Sequence, residues 1–466
     1  MANYDVIFLG GGPAGYVGAI RAAQLGLNVG VVEREGLGGT CVIWGCIPAK
    51  ALLEAASIAN RVKHAAEFGV SVGEVKLDYG VAMKRSRDVS LKNSKGVEFL
   101  FKKNKITWIK GTGTLGAGKT VKVTADGKSE THTATKAVVI STGSRVKGLP
   151  QAGLELNKTT VISSDEALIL EKAPKTIAIV GAGAVGCEFA DVFNAFGSKV
   201  TLIEVMPQIL PLEDEESGKE VARAFKKRGI EVMSGAKMTS AKVGKTSVKL
   251  TVESGGAKSE IEVDVVLVAA GRAANIDGIG LKELGVALTD RGFIKINERM
   301  ETSVKGVYAI GDVAGPPMLA HKGEREGMIV AEVIAGKHFH PLNYGNVPNA
   351  TYCHPEVASI GMTEAQVKEK KIDYKVGKFP FSANGRARTS GETEGFVKII
   401  RDAKYGEILG AHIVGAHATE LIHELAVARE NEYTVEEIEL AIHAHPTLSE
   451  AIAEATLDSM GRMIHA

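Results

Sequence analysis

Four cysteines in 466 residues are too few for a disulfide scaffold, and aromatic residues make up only 5% of the chain. Charge of one sign is missing as well: 56 Lys and Arg stand against 55 Asp and Glu, a formal net charge of +1. Such a chain has no net field to draw it to nucleic acid or to an anionic membrane. No apolar run approaches the roughly 18 residues of a membrane helix, so no membrane insertion is expected. The opening "MANYDVIFLGGGPAG" has no basic segment before its short apolar stretch, so a signal peptide is not expected either. Proline is sparse, 13 residues against 54 glycines, a balance that suits an α/β fold with backbone-ligand turns better than a disordered polymer.

What is present is an ordinary globular share of hydrophobic residues, 45%, in a chain too long for one core, which points to two to four domains. A reducing, soluble compartment is expected, either a bacterial cytoplasm or an organelle matrix if a transit peptide has been removed. There a close cysteine pair is more often catalytic or metal-binding than structural.

Two stretches share one template: "DVIFLGGGPAGYVGAIRAAQLGLNVGVVERE" from Asp5 and "TIAIVGAGAVGCEFADVFNAFGSKVTLIEVM" from Thr176. Gly10, Gly12 and Gly15 correspond to Gly181, Gly183 and Gly186, Gly26 to Gly197 and Glu33 to Glu204, each pair 171 positions apart. Each copy reads strand, glycine turn, helix, strand, acid. The first glycine permits the sharp turn, the second lets a pyrophosphate approach the backbone, and the third lets the helix pack on the strand. The helix N-terminus then offers N–H groups and a positive dipole end to the phosphates. Glu33 and Glu204 are placed to accept hydrogen bonds from a ribose; their bland reading is an exposed acid at a strand end. A carboxylate at Glu204 repels a 2′-phosphate, and the following "EVMPQILPLEDEE" has no arginine to hold one, so NAD is favoured over NADP.

Two further apolar strands end in polar turns. "AVVISTGSR" runs into Thr142, Gly143 and Ser144, and "VYAIGDVAG" into Gly311 and Asp312, an acid suited either to a ribityl or ribose hydroxyl or to a helix N-cap. In "GGTCVIWGCIPAK" Cys41 and Cys46 are five positions apart. Residues at i and i+5 of a regular helix have Cα atoms about 8–9 Å apart, beyond the roughly 7 Å of an unstrained disulfide. The two join only if the turn between them is irregular, which Gly38, Gly39 and Gly45 permit, while Pro48 suits a first helical turn. A position near a helix N-terminus is expected to lower their thiol pKa. A metal site lacks a second close pair, and two buried thiols remain an alternative; Cys187 and Cys353 read best as small hydrophobes.

Near the C-terminus, "AIHAHPTLSEAIAEA" brings His445 and Glu450 together. Pro446 disfavours helix at His445, Thr447 is expected to cap the next helix, and Glu450 takes the third position of that capping box. Alternatively, Glu450 fixes the tautomer of His445 and leaves its other nitrogen for a substrate proton, with His443 as the neighbour expected to matter less.

Together with "GRAAN" and "LAHKGEREG", these segments make the chain resemble the pyridine nucleotide-disulfide oxidoreductases over essentially all 466 residues. The resemblance implies an α/β fold: two Rossmann-like domains, binding FAD and NAD, and an α+β dimerisation domain. The expected division is an FAD-binding domain over 1–150, an NAD-binding domain over 151–275, a central domain over 276–345 completing the FAD site, and a dimerisation domain over 346–466. By the same resemblance Gly10, Gly12, Gly15, Glu33 and Asp312 serve FAD, and Gly181, Gly183, Gly186 and Glu204 serve NAD. Thr142, Gly143, Ser144 and Gly271 belong with the cofactor-binding residues. Cys41 becomes the thiol that exchanges with substrate and Cys46 the flavin-side thiol; Lys50 stands near the reactive flavin nitrogen, paired with Glu188. His445, oriented by Glu450, is delivered to the other subunit's disulfide, which makes a homodimer the active species.

The implied reaction is oxidation of dihydrolipoamide or a lipoylated protein domain, with reduction of NAD⁺ to NADH. The implied setting is a 2-oxoacid dehydrogenase complex, through its acyltransferase core, or the glycine-cleavage system. The chain departs from the family pattern at Ile43, where asparagine is usual, and at Ala49, where serine is usual, with bulky Trp44 between the cysteines. These departures bear on redox potential more than on reaction class. The rivals are a relative reducing glutathione-like disulfides or Hg²⁺, an oxidase with one active cysteine, and a flavin-bearing scaffold.

Overall fold

Apolar strands such as Val6–Phe8 and Ile177–Ile179 are buried completely, so each must be covered on both faces, and the chain does this twice with parallel sheets. The computed structural model describes residues 3–465. They divide into two compact units, one built from the chain up to Ala51 with Val81–Lys147 and Gly271–Leu342, the other from Leu52–Gly80, Gly148–Ala270 and the chain from Asn343 on.

In the first unit the strand Asn3–Leu9 runs parallel to Val29–Glu33 on one side and to Lys128–Ile140 on the other. Thr107–Lys110 continues the sheet beyond Val29–Glu33, and Val307–Ala309 pairs in parallel with Val138–Ile140. The N-terminal half of the long strand Lys128–Ile140 pairs instead with Thr120–Ala125, which is followed by Thr112–Gly116, both antiparallel. Helices Pro13–Gln24 and Ala320–Ile334 pack face to face through small residues. A Cβ on Gly327 would lie 2.5 Å from the carbonyl oxygen of Ala14, so the crossing depends on glycine there.

The second unit repeats the plan with the parallel order Glu231–Ser234, Lys199–Glu204, Thr176–Val180, Val265–Val268, Val161–Ile162. A three-stranded antiparallel sheet, Ala236–Val243, Val248–Ser254 and Ala257–Val263, follows. The C-terminal part is an antiparallel sheet of five strands with helices Ala418–Glu430 and Glu450–Ser459 against it. The expected α/β class, with two dinucleotide-type sheets and an α+β C-terminal part, is what the chain adopts.

One expectation needs correction. The helical stretch Thr40–Lys63 is 24 residues long, and its most apolar 18-residue window has a mean hydropathy of 1.5, enough by length and composition to cross a bilayer. Alanines carry much of that average, and Lys50 and Glu54 interrupt the apolar run. The helix packs Leu52, Leu53 and Ala56 inside the protein, and the core helix of a globular fold meets the same criterion.

Candidate active site

The two glycine turns agree atom for atom. Gly10 has φ +113° and Gly181 has φ +102°; a Cβ would stand 2.3 Å from the Ser141 oxygen in the first turn and 2.5 Å from the Ala269 oxygen in the second. A Cβ on Gly15 would lie 2.0 Å from the Gly10 oxygen, and one on Gly186 would lie 1.9 Å from the Gly181 oxygen. The chain itself therefore demands the first and third glycines. The middle ones are different: a Cβ on Gly12 would meet nothing closer than 3.8 Å, and one on Gly183 nothing within 4 Å. Both are N-caps of their helices with no side-chain cap, so the turns keep an open backbone face at a helix N-terminus, as a pyrophosphate requires. These cradles fit the two dinucleotides.

Each cradle ends in a carboxylate held by backbone. Glu33 accepts from the N–H of Gly11 and of Glu35, both at 2.9 Å, and Glu204 from Ala182 at 2.7 Å and Met206 at 2.9 Å. Gly11 and Ala182, like Glu35 and Met206, are again 171 positions apart, so the repeat extends to these hydrogen bonds. Neither acid is a free strand-end charge; Glu204 is buried.

Three separated segments meet beside the first cradle. Ser144 Oγ donates to Asp312 Oδ2 at 2.5 Å and accepts from Arg272 Nε at 2.7 Å, while Arg272 Nη2 binds the Ser144 carbonyl. Thr142 Oγ1 donates to the Asn275 carbonyl, and Gly143 and Gly271 take positive φ in the same neighbourhood. Asp312 sits inside the 3₁₀ turn Gly311–Ala314, which Ile310 precedes, so it is not an N-cap.

The irregular turn expected between the cysteines is a π-helical turn, Thr40–Trp44, flanked by Gly39 at φ 56° and Gly45; Cys46 then opens the helix Cys46–Lys63. Both cysteines are partly exposed thiols and are hydrogen-bonded to each other. A lowered thiol pKa was expected for both, and Cys41 departs from this. Its thiol is pushed up, first by the hydrogen bond with Cys46, then by burial and by negative charge on Cys46, with Glu324 adding to the effect and Lys50 opposing it. The two also differ in position: Cys46 opens the helix Cys46–Lys63, whereas Cys41 lies in the π turn before it. Cys187 and Cys353 are fully buried, and burial raises both thiols.

Lys50 lies one turn beyond Cys46 in the first unit. Glu188 is buried on the helix Ala184–Ala195 of the second, where it accepts the N–H of Tyr352 at 3.1 Å. Also in the second unit, His445 Nδ1 is 2.8 Å from Glu450 Oε1, and Glu450 Oε2 accepts the Thr447 N–H at 2.8 Å. An ionised carboxylate only accepts, so Nδ1 carries a hydrogen and Nε2 is the nitrogen left for proton exchange. Burial works to raise the Glu450 carboxyl, but the Thr447 N–H and the His445 ring hold it below the usual glutamate value.

The capping expected of Thr447 does not occur. The helix begins at Glu450 with Ser449 before it, and the Thr447 hydroxyl turns back to the Ala444 carbonyl at 2.7 Å. Half of the capping box survives, because one carboxylate oxygen serves Thr447 while the other serves His445. His443 has both nitrogens engaged, with Glu424 at 2.8 Å and the Ala441 carbonyl at 3.0 Å.

Residues 4–327 match the pyridine nucleotide-disulphide oxidoreductase family, and residues 347–456 match that family's dimerisation domain. The chain belongs to the pyridine nucleotide-disulphide oxidoreductases. Its cofactors are FAD and NAD, and a dimerisation domain marks the chain for homodimer formation. Among curated relatives, it is 45% identical to a dihydrolipoyl dehydrogenase of Rhizobium etli over 100% of this chain and 99% of that one. It is 46% identical to the Corynebacterium glutamicum dihydrolipoyl dehydrogenase, with 99% of each covered. Identity is 44% to the mitochondrial dihydrolipoyl dehydrogenase of Pisum sativum, over 99% of this chain and 92% of that one. Among solved structures, LpdA from Mycobacterium tuberculosis superposes with a TM-score of 0.89 at 26% identity, covering 98% of this chain and 99% of that one.

Sequence reasoning missed several supports of this oxidoreductase's site. Lys322 and Glu326, quoted within "LAHKGEREG", form a buried pair: Lys322 Nζ binds the Gly311 and Gly315 carbonyls at 3.0 Å, and Glu326 accepts the Gly311 N–H at 2.7 Å. They clamp the turn that carries Asp312. At i and i+4 they read as a solvated helix pair, and only burial reveals the role. Arg87, Ser90 and Ser94, on the helix Tyr79–Lys103, carried no motif at all.

Proposed function

We propose that the chain is a dihydrolipoyl dehydrogenase that oxidises a dihydrolipoyl dithiol and reduces NAD⁺. The observation that carries this reading is the Cys41–Cys46 π turn, which brings two thiols into contact in the unit that also holds a dinucleotide cradle. Agreement over nearly the full length of dihydrolipoyl dehydrogenases supports the choice of substrate.

In the proposed cycle Nε2 of the partner subunit's His445 takes a proton from a dihydrolipoyl thiol, while Glu450 keeps that ring oriented and offsets its positive charge. The substrate sulfur attacks Cys41 of the Cys41–Cys46 disulfide and is released when its own second thiol closes the lipoyl ring. Cys46, at the helix start, holds the resulting negative charge. Bound FAD supplies the two-electron path from this dithiol to the nicotinamide. Lys50 and Glu188 are each proposed to serve the flavin. Gly12 and Gly183 leave room for the pyrophosphates, and Glu33, Glu204 and Asp312 bind sugar hydroxyls, with Thr142, Gly143, Ser144 and Gly271 shaping the surrounding turns.

The division proposed is an FAD domain over 1–150, an NAD domain over 151–275, a central domain over 276–345 and a dimerisation domain over 346–466. The pairing of Val307–Ala309 with Lys128–Ile140 supports the central segment's part in the FAD site. The proposed partner is the acyltransferase core of a 2-oxoacid dehydrogenase complex. A bacterial cytoplasm or an organelle matrix is the proposed location, supported by bacterial and plant mitochondrial relatives.

The test is NADH formation by the purified holoenzyme given dihydrolipoamide and NAD⁺, with NADP⁺ and with reduced glutathione as matched controls. Turnover with the first pair alone is expected. No turnover by a dimer with FAD bound would reject the assignment.

A further inference from the structure

The helix Tyr79–Lys103 grips the redox turn through side chains spaced along one face. Ser94 Oγ donates to the Leu37 carbonyl and Ser90 Oγ to the Val42 carbonyl, both at 2.7 Å, and Arg87 Nη1 donates to the Ile43 carbonyl at 2.5 Å. The Arg87 guanidinium also lies over the Trp44 ring, 4.7 Å from its centroid. From the other side Trp44 Nε1 donates to Glu35 Oε2 at 3.0 Å, and the Glu35 backbone is itself held by Glu33. Ile43 and Trp44 lie between the cysteines, where this chain departs from the family pattern.

We propose that Arg87 and Trp44 are positioning residues for the Cys41–Cys46 couple, together fixing the π turn so that each sulfur meets the other at high effective concentration. The inference rests on the reading of these cysteines as a redox pair. When the S–S bond forms, two electrons and two protons leave the thiols, and the conformational freedom lost on closure weighs against it. A turn already held at Ile43 and Trp44 has less freedom to lose, so the clamp favours the disulfide. Arginine suits the task because its planar fork serves a carbonyl and an aromatic face together, which an ammonium does not.

The test equilibrates the holoenzyme, without nicotinamide and without oxygen, in graded mixtures of reduced and oxidised dithiothreitol. The oxidised reagent takes up the two electrons and two protons and becomes the dithiol. Alkylation and mass spectrometry then count the free thiols at Cys41 and Cys46. Arg87→Gln and Arg87→Lys are both expected to shift the equilibrium about tenfold toward the dithiol, equivalent to about 30 mV for a two-electron couple. Trp44→Leu should shift it the same way. FAD content and melting temperature identify folded variants; if the Arg87 variants do not fold, Trp44→Leu decides. An unshifted equilibrium in folded variants overturns the proposal, and so does a wild-type value in Arg87→Lys beside a shifted Arg87→Gln, which would assign the effect to charge. If wild type forms no Cys41–Cys46 bond at any ratio, the redox reading fails and not the clamp alone.

Discussion

At the scale of single residues, the two histidines of the C-terminal segment show how much depends on which nitrogen is spoken for. His445 spends Nδ1 on Glu450 and keeps Nε2, whereas His443 spends both, on Glu424 and on the Ala441 carbonyl. His445→Gln is therefore expected to lower dihydrolipoamide oxidation by about 10²–10⁴-fold, the usual contribution of a general base. NADH oxidation by a one-electron acceptor that bypasses the thiols should change little; equal loss in both assays would refute the role. His443→Gln should affect stability instead. The Glu424 hydrogen bond raises the His443 pKa against the opposing effect of burial. Stabilisation from a raised group is complete below the ordinary imidazole value and drains as pH rises through the raised one. The variant should thus melt lower than wild type near pH 5.5 and close to it near pH 9, and a pH-independent difference would rule out the ion pair as its source. His445 and Glu450 were legible because proline and a spaced acid accompany them. The buried Lys322–Glu326 pair was not, since sequence spacing looks the same for a buried pair and a solvated one.

At the scale of elements, the glycine turns separate what the fold needs from what the ligand needs. Gly183 has φ −72° and open space at its Cβ position, so Gly183→Ala should fold with a loss under about 1 kcal/mol, the range of an N-cap change. The added methyl stands where the backbone meets the pyrophosphate, so NAD⁺ affinity should fall. Gly186→Ala would drive a methyl to 1.9 Å from the Gly181 oxygen, and the helix must move off the strand at a cost of about 1–3 kcal/mol or more. Calorimetric NAD⁺ titration beside thermal melts distinguishes the two; unaltered binding in Gly183→Ala would contradict the cradle. These turns could be read in advance because strand, spacing and acid recur twice in one chain. The cysteine turn was legible only as a constraint: two thiols five positions apart exclude a regular helix between them. That the solution is a π turn held by Arg87, Ser90 and Ser94 depends on a helix some forty positions away, and no local pattern announces it.

At the scale of the whole molecule, the second unit joins a nucleotide sheet to an antiparallel C-terminal sheet, and its most buried cation marks the junction. Lys398 has 1% of its side chain exposed and binds Asp214 at 3.0 Å, Glu216 at 2.8 Å and Glu364 at 2.7 Å. These acids come from two helices in different halves of the unit. Lys368 and then Lys398 hold the Glu364 carboxyl down to about 2. Asp214 also lies below its ordinary value, because His412, the Glu364 N–H and Lys398 outweigh its burial. A depressed carboxylate contributes stability that is present above its unfolded value, near 4, and is lost as pH falls through the folded one. Lys398→Met keeps the stem and removes the charge, leaving the buried Asp214 carboxylate without its ammonium while Glu216 and Glu364 keep Lys378 and Lys368, so a loss of about 3–5 kcal/mol is expected at pH 7. At pH 3, between the unfolded value and the depressed folded one, part of that contribution is already gone and the variant has less to lose, so the gap between the two urea midpoints, followed by far-ultraviolet circular dichroism, should narrow. A gap of equal size at both pH values would mean that the stem's packing, and not the charge network, joins the two sheets.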